Sequence, residues 1–163
     1  MNDRTMIVLD DGPSRFQFRA AALIWVEGHI LIHRSVSDPF WALPGGRVEF
    51  HEASAETLSR EIEEELGSTS DVGPLQLLIE NFFELGGKKT HELGCYYEVR
   101  LHSPPPFVQN AVVHRSRDGN TDLEFRWALP EQLPSFDLKP TALIPLIGRL
   151  PSAFRHVVHR DKQ

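Results

Sequence analysis

Residues 53–66 read as one uninterrupted helix, and Gly67 supplies the stop signal expected just past its end. On a helix, Ala55, Leu58, Ile62 and Leu66 share an apolar stripe, while Glu61, Glu64 and Glu65 share an adjoining face. Three carboxylates so placed repel one another by a few tenths of a kcal/mol per pair. They also stand near the helix C-terminus, where negative charge opposes the macrodipole. A fold that keeps this helix must bring positive charge to it or leave the face in water, the ordinary state of a Glu-rich surface. Arg60, spaced i±4 from Glu56 and Glu64, is one local source of that charge.

The rest of the chain describes one domain around this helix. Its 163 residues, 40% hydrophobic and 25% charged, suit a single globular unit and exclude a mostly disordered chain. One cysteine, Cys95, excludes an internal disulfide and a cysteine-based zinc cluster. The formal charge of −6 argues against broad nucleic-acid binding, although four of the 23 acidic residues crowd into positions 61–65. Apolar runs such as 20–26 are too short to cross a bilayer, and residues 1–15 lack the apolar core of a signal peptide. A cytoplasmic protein with no membrane partner is expected.

Residues 1–15 read as a polar lead-in with one short strand at 6–9. Residues 16–26 and 29–34 are β-rich and flank a Glu27-Gly28 turn, the pattern of a hairpin. Pro44-Gly45-Gly46 breaks regular structure and is able to expose backbone carbonyls. Residues 74–85 and 90–101 form a second hairpin through Gly86-Gly87, and 103–122 read as a long Pro-rich loop. A strand at 123–129 and a closing helix at 140–150, with Leu143, Ile144 and Ile147 on its apolar side, complete residues 16–150 as one domain. Residues 151–163 read as a polar C-terminal tail. The order implies an α+β fold, an α/β/α sandwich with a mixed sheet carrying the acidic helix.

Gly46, Glu52, Arg60, Glu61, Ile62, Glu64, Glu65 and Gly67 match the pattern G-x5-E-x7-R-E-U-x-E-E-x-G, with U a large aliphatic residue. In this, residues 46–68 resemble the box of the Nudix hydrolase family. Seven matches each demand one residue type, and at roughly one in fifteen apiece chance agreement at a given start is about 10⁻⁸. The resemblance extends to Trp41-Ala-Leu-Pro-Gly-Gly, to Glu124-Phe-Arg-Trp127 and to Leu138-Lys-Pro140. One position departs: the last residue of the box is aliphatic in the family and is Ser68 here, which bears on packing rather than chemistry.

The resemblance implies an enzyme that cuts the pyrophosphate bond of a nucleoside diphosphate linked to another moiety. A nucleoside triphosphate, a nucleotide sugar and a dinucleotide all qualify. It implies Mg²⁺, with Mn²⁺ as the alternative, held by Glu61, Glu64, Glu65 and the Gly45 carbonyl; hard cations prefer such oxygen donors. Glu61 and Glu64 are both candidates for the general base, and Glu52 with Arg60 would tie loop to helix by ion pairing. Arg34, Trp41 and Glu124 are candidate substrate contacts. Trp41 reads first as core and second as a ring that stacks on a base, and Asp122 or Glu124 serves equally as an added ligand or a loop acid. His156 and His159 lack a third zinc ligand, His51 is expected to face solvent, and Cys95 reads as a buried small apolar group. The rival reading is a nucleotide-binding or sensor module without turnover, against which a self-repelling acid cluster argues. The expected partner is a nucleotide-containing small molecule, not nucleic acid, and a homodimer is left open.

Overall fold

The computed structural model describes residues 5–149 and 153–162. Among these residues nine strands and two helices are organised by one strand, β2 (Ser14–Val26). Ala20–Ile24 within it are at most 2% exposed, so this stretch is buried on both faces, as a continuous apolar run in a central strand requires. Along one edge β2 pairs in parallel with β6 (Lys88–Leu101), from Ser14 opposite Lys89 to Ile24 opposite Val99. Its other edge is shared in turn by β1 (Val8–Asp11), β4 (Gly45–Arg47) and β3 (His29–Ser35), all antiparallel.

The sheet extends outward from this axis. β5 (Ser70–Leu85) pairs antiparallel with β6, and β7 (Val112–Asp118) and β8 (Thr121–Ala128) continue from β3, giving the order β7-β8-β3-β2-β6-β5-β9. The outermost strand, β9 (Arg155–Arg160), runs parallel to β5 and lies within the stretch expected as a polar tail. His156 and His159 therefore sit on a strand, with His156 Nε2 2.7 Å from Glu80 and His159 Nε2 3.1 Å from Asp161.

Alternation along β2 divides the core into two layers. Ala20, Ala22 and Ile24 join Leu31, Val48, Phe125, Trp127 and the stripe Leu58, Ile62 and Leu66 of helix α1 (Ser54–Leu66). Ala21 and Leu23 face the opposite way, toward Trp41, Leu43, Tyr96, Leu133, Leu138, Leu143 and Ile147. The sheet is thus covered on both faces, the α+β sandwich with a mixed sheet that the element order implies. The second helical layer is thin: 3-10 turns at Pro130–Phe136 and Thr141–Leu143 and a four-residue helix α2 (Ile144–Ile147).

Three local expectations are corrected. The first strand lies at Val8–Asp11 rather than 6–9, and Met6 makes only an isolated bridge to Glu49. The 103–122 segment is not all loop, since β7 folds back on β8. None of its residues is buried, and Arg115, Arg117 and Asp118 are exposed and charged, as befits an edge strand that must resist further pairing. The closing helix is much shorter than 140–150 because Pro145 lies inside it and Gly148 follows it; Leu150 lies outside the described residues. Among the described residues no helix is long and apolar enough to cross a membrane.

β4 holds the Gly-Gly turn flush against β2. A Cβ on Gly45, whose φ is +150°, would lie 2.1 Å from the Ala20 carbonyl oxygen and 2.8 Å from Ala21 Cα. Gly45→Ala is therefore expected to destabilise the domain by about 2–4 kcal/mol, combining backbone strain with overpacking. Urea denaturation of the variant against wild type measures this difference.

Candidate active site

Helix α1 begins without a side-chain cap at Ala53. Glu56 Oε2 instead accepts the Ala53 N–H at 2.7 Å, and Gly67 closes the other end at φ +64° with its N–H on Glu63 O. Pairing of Arg60 with Glu56 is thereby replaced by a different set. Arg60 Nε lies 2.8 Å from Glu52 Oε1 and its Nη2 lies 3.0 Å from Glu52 Oε2, a bidentate fork. Its Nη1 reaches Glu61 Oε1 at 2.8 Å and Glu64 Oε2 at 3.3 Å, and Glu49 Oε1 is 3.6 Å from Nη2. One guanidinium thus serves four carboxylates from the loop before α1 and from α1 itself.

Two of the three helix acids are not on a solvated face. Glu61 and Glu65 are each 8% exposed, in line with Thr57 on the side of α1 that meets β4. Glu61 lies directly over Gly46, where a Cβ would fall 2.2 Å from its Cδ; only glycine leaves room for that carboxylate. Burial pushes the Glu61 pKa up, the Arg60 hydrogen bond opposes this, and the neighbouring charges of Glu65 and Glu64 raise it further. Glu64 is half exposed. Glu65 Oε2 lies 3.6 Å from His33 Nδ1.

Glu52 does not sit inside the helix. It lies in the preceding loop, where it also accepts the Thr57 hydroxyl at 2.8 Å and the Glu49 N–H at 3.3 Å. These bonds, the Arg60 fork first among them, hold its carboxyl at about 2. Ser68, where the family pattern has an aliphatic residue, is buried with its hydroxyl satisfied: it donates to Thr69 O at 2.8 Å and accepts the Ser103 N–H at 3.0 Å.

The Gly45 carbonyl is oriented by strand alternation. Pro44 O accepts the Ala22 N–H and Phe18 O accepts the Val48 N–H, so Gly46 exchanges bonds with Ala20 and the Gly45 carbonyl turns away from β2. Glu61, Glu64, Glu65 and this carbonyl are all hard oxygen donors, the kind a divalent cation such as Mg²⁺ selects. The closeness of Glu61 to Glu65 and the glycine cradle under Glu61 fit such an ion. Among the described residues no three His, Cys, Asp or Glu side chains are already gathered into a metal cage.

Arg34, Trp41 and Glu124 assemble elsewhere. Arg34 forks onto Glu124 Oε1 through Nε at 2.8 Å and Nη2 at 2.7 Å, and its guanidinium stacks 4.8 Å from the Trp41 ring centroid. Trp41 belongs to the core layer opposite α1, 5% exposed and edge-on to Phe136. Leu123 and Phe125 face α1, so Glu124 between them faces the same way as Trp41. It is a buried strand residue, whereas Asp122 is exposed and pairs with Arg117. His51 is exposed, and burial raises the thiol pKa of Cys95, which is 6% exposed. Sequence reasoning overlooked Glu49, His33 and His114. Only period-two alternation in β3 pointed to His33 as an inward residue, and His114 lay in a segment read as loop.

Comparison with known proteins follows the same lines. A family model for the NUDIX domain matches residues 15–146. A MutT NUDIX hydrolase from Burkholderia pseudomallei superposes with a TM-score of 0.63 at 22% identity, covering 83% of this chain and 98% of that one. An ADP-ribose pyrophosphatase from Streptococcus suis gives 0.60 at 15% identity over 88% and 98%. A UDP-X diphosphatase gives 0.60 at 20% identity over 91% and 68%. No curated protein matches the sequence.

The Glu52 carboxyl, at about 2 against an ordinary 4.5, stabilises the fold fully above pH 4.5 and loses that contribution as pH falls toward 2. Allowing for solvent screening, Glu52→Gln should cost about 1–2 kcal/mol at pH 7. Its stability should also fall less steeply than wild type between pH 4.5 and 2, as chemical denaturation across that range would show.

Proposed function

The chain belongs to the NUDIX family of hydrolases, and on that premise we propose that it hydrolyses the pyrophosphate bond of a nucleoside diphosphate linked to a further group, using Mg²⁺ or Mn²⁺. The observation that carries this reading is the burial of Glu61 over Gly46 and of Glu65 one turn further along α1, with Arg60 bridging Glu61 to Glu52. A purely structural helix has no need to bury two acids side by side.

In this reading Glu61, Glu64, Glu65 and the Gly45 carbonyl hold the cation. When bound, the cation supplies charge neutralisation for the phosphates and lowers the pKa of water. Glu61 and Glu64 are the candidates to accept the proton of the attacking water at a carboxylate oxygen. Arg60 and Glu52 keep the loop and helix in register so that these oxygens stay in place. Arg34, held by Glu124 and Trp41 on the other face of the sheet, is a candidate contact only for a part of the substrate that extends beyond the acidic site. The structural relatives act, by their names, on ADP-ribose and on UDP-linked compounds, which makes these the first substrates to try.

The test is a panel of nucleoside triphosphates, nucleotide sugars, ADP-ribose and dinucleotides with Mg²⁺, assayed on wild type and on Glu61→Gln, Glu64→Gln and Glu65→Gln. At least one compound should be cleaved, and loss of the base should lower kcat by roughly 10²–10⁴-fold. Full turnover in a variant lacking both Glu64 and Glu65 would remove the metal assignment. Separately, Mg²⁺ should raise the melting temperature of wild type more than that of Glu65→Gln, since a ligand bound only to the native state stabilises it.

A further inference from the structure

Glu65 is approached by two histidines that no part of the proposed reaction uses. His33 on β3 is 8% exposed, and its Nδ1 is a buried nitrogen without a hydrogen-bond partner, 3.6 Å from Glu65 Oε2. About 0.7 Å separates that contact from an ordinary N–H···O length, within reach of a small turn of the carboxylate. His114 on β7 donates from Nε2 to the Glu65 main-chain carbonyl at 2.8 Å. That carbonyl belongs to the last turn of α1, where helices leave acceptors unpaired.

The two rings form one unit. Phe125 on β8 is fully buried and stands opposite both His33 and His114 in the sheet register. Its ring lies 5.3 Å from that of His33 and 5.5 Å from that of His114. His33 is further fixed by two main-chain hydrogen bonds to Ala42. Three adjacent strands therefore deliver imidazole, phenyl and imidazole to a single helix residue, one imidazole at its side chain and the other at its backbone. Mere packing does not account for His33, because an apolar ring would fill the same space without leaving a buried polar nitrogen unpaired.

We propose that His33 and His114 are positioning residues for Glu65: His114 anchors the end of α1, and the His33 Nδ1–H orients the Glu65 carboxylate toward the cation. The arrangement rests on the reading of Glu65 as a metal ligand and adds which groups aim it. Partners of this kind behind a ligand are worth 10–100-fold in metal affinity.

The experiment measures Mn²⁺ binding to the full chain by calorimetry without substrate, for wild type, His33→Phe, His33→Asn and Glu65→Gln. An asparagine amide sits where Nδ1 does, so His33→Asn should bind Mn²⁺ within about threefold of wild type while His33→Phe weakens it 10–100-fold. In the Glu65→Gln background, adding His33→Phe should change affinity little. If wild type does not bind Mn²⁺, both the metal reading and this proposal fail. If wild type binds and His33→Phe binds equally well, only the positioning role fails. Equal loss in His33→Phe and His33→Asn would also overturn it, marking the ring as packing. Thermal unfolding in a chelator checks that each variant folds. Should His33→Phe not fold, His33→Gln replaces it, since its amide lies one bond too far out, and the same loss is expected.

Discussion

Arg60 is the cation on which this end of the domain depends. Without it, Glu49, Glu52, Glu61 and Glu64 would crowd together with no counter-charge, and burying Glu61 would be expensive. With it, the loop before α1 is stapled to the middle of the helix, and Glu61 is drawn over Gly46. The repulsion evident along the helix is thus answered first from within the chain. Glu65, outside the contacts of Arg60, is met by His33 instead.

The second constraint is steric. Ala20, Ala21 and Ala22 form the middle of the central strand, where β4 is hydrogen-bonded along its edge and α1 packs close over the small side chains of Ala20 and Ala22. Gly45 and Gly46 complete that approach, one against the β2 backbone and the other beneath the Glu61 carboxylate. Electrostatics and close packing therefore converge on one spot. That convergence is why an acid-rich helix is stable there.

Much of this was legible in the chain. The helix, its stripe of Leu58, Ile62 and Leu66, both hairpins through Glu27-Gly28 and Gly86-Gly87, and the family pattern follow from local periodicity and turn chemistry. The strand at Val112–Asp118 and the one at Arg155–Arg160 did not, because edge strands are stabilised by a neighbour and carry polar residues on both faces. Ser68 looked like a packing fault and is a satisfied buried hydroxyl, which only the position of the Ser103 N–H decides.

The amino-acid sequence by itself determined the spacing of Glu52, Arg60, Glu61, Glu64 and Glu65 and the glycines that frame them, since helix geometry converts spacing into faces. Only the tertiary structure decided which acids are buried, that Arg34 is committed to Glu124 and Trp41 on the other face of the sheet, and that two histidines from distant strands meet Glu65. Those facts depend on strand register and layer packing, and these bring together residues whose separation along the chain carries no local signal.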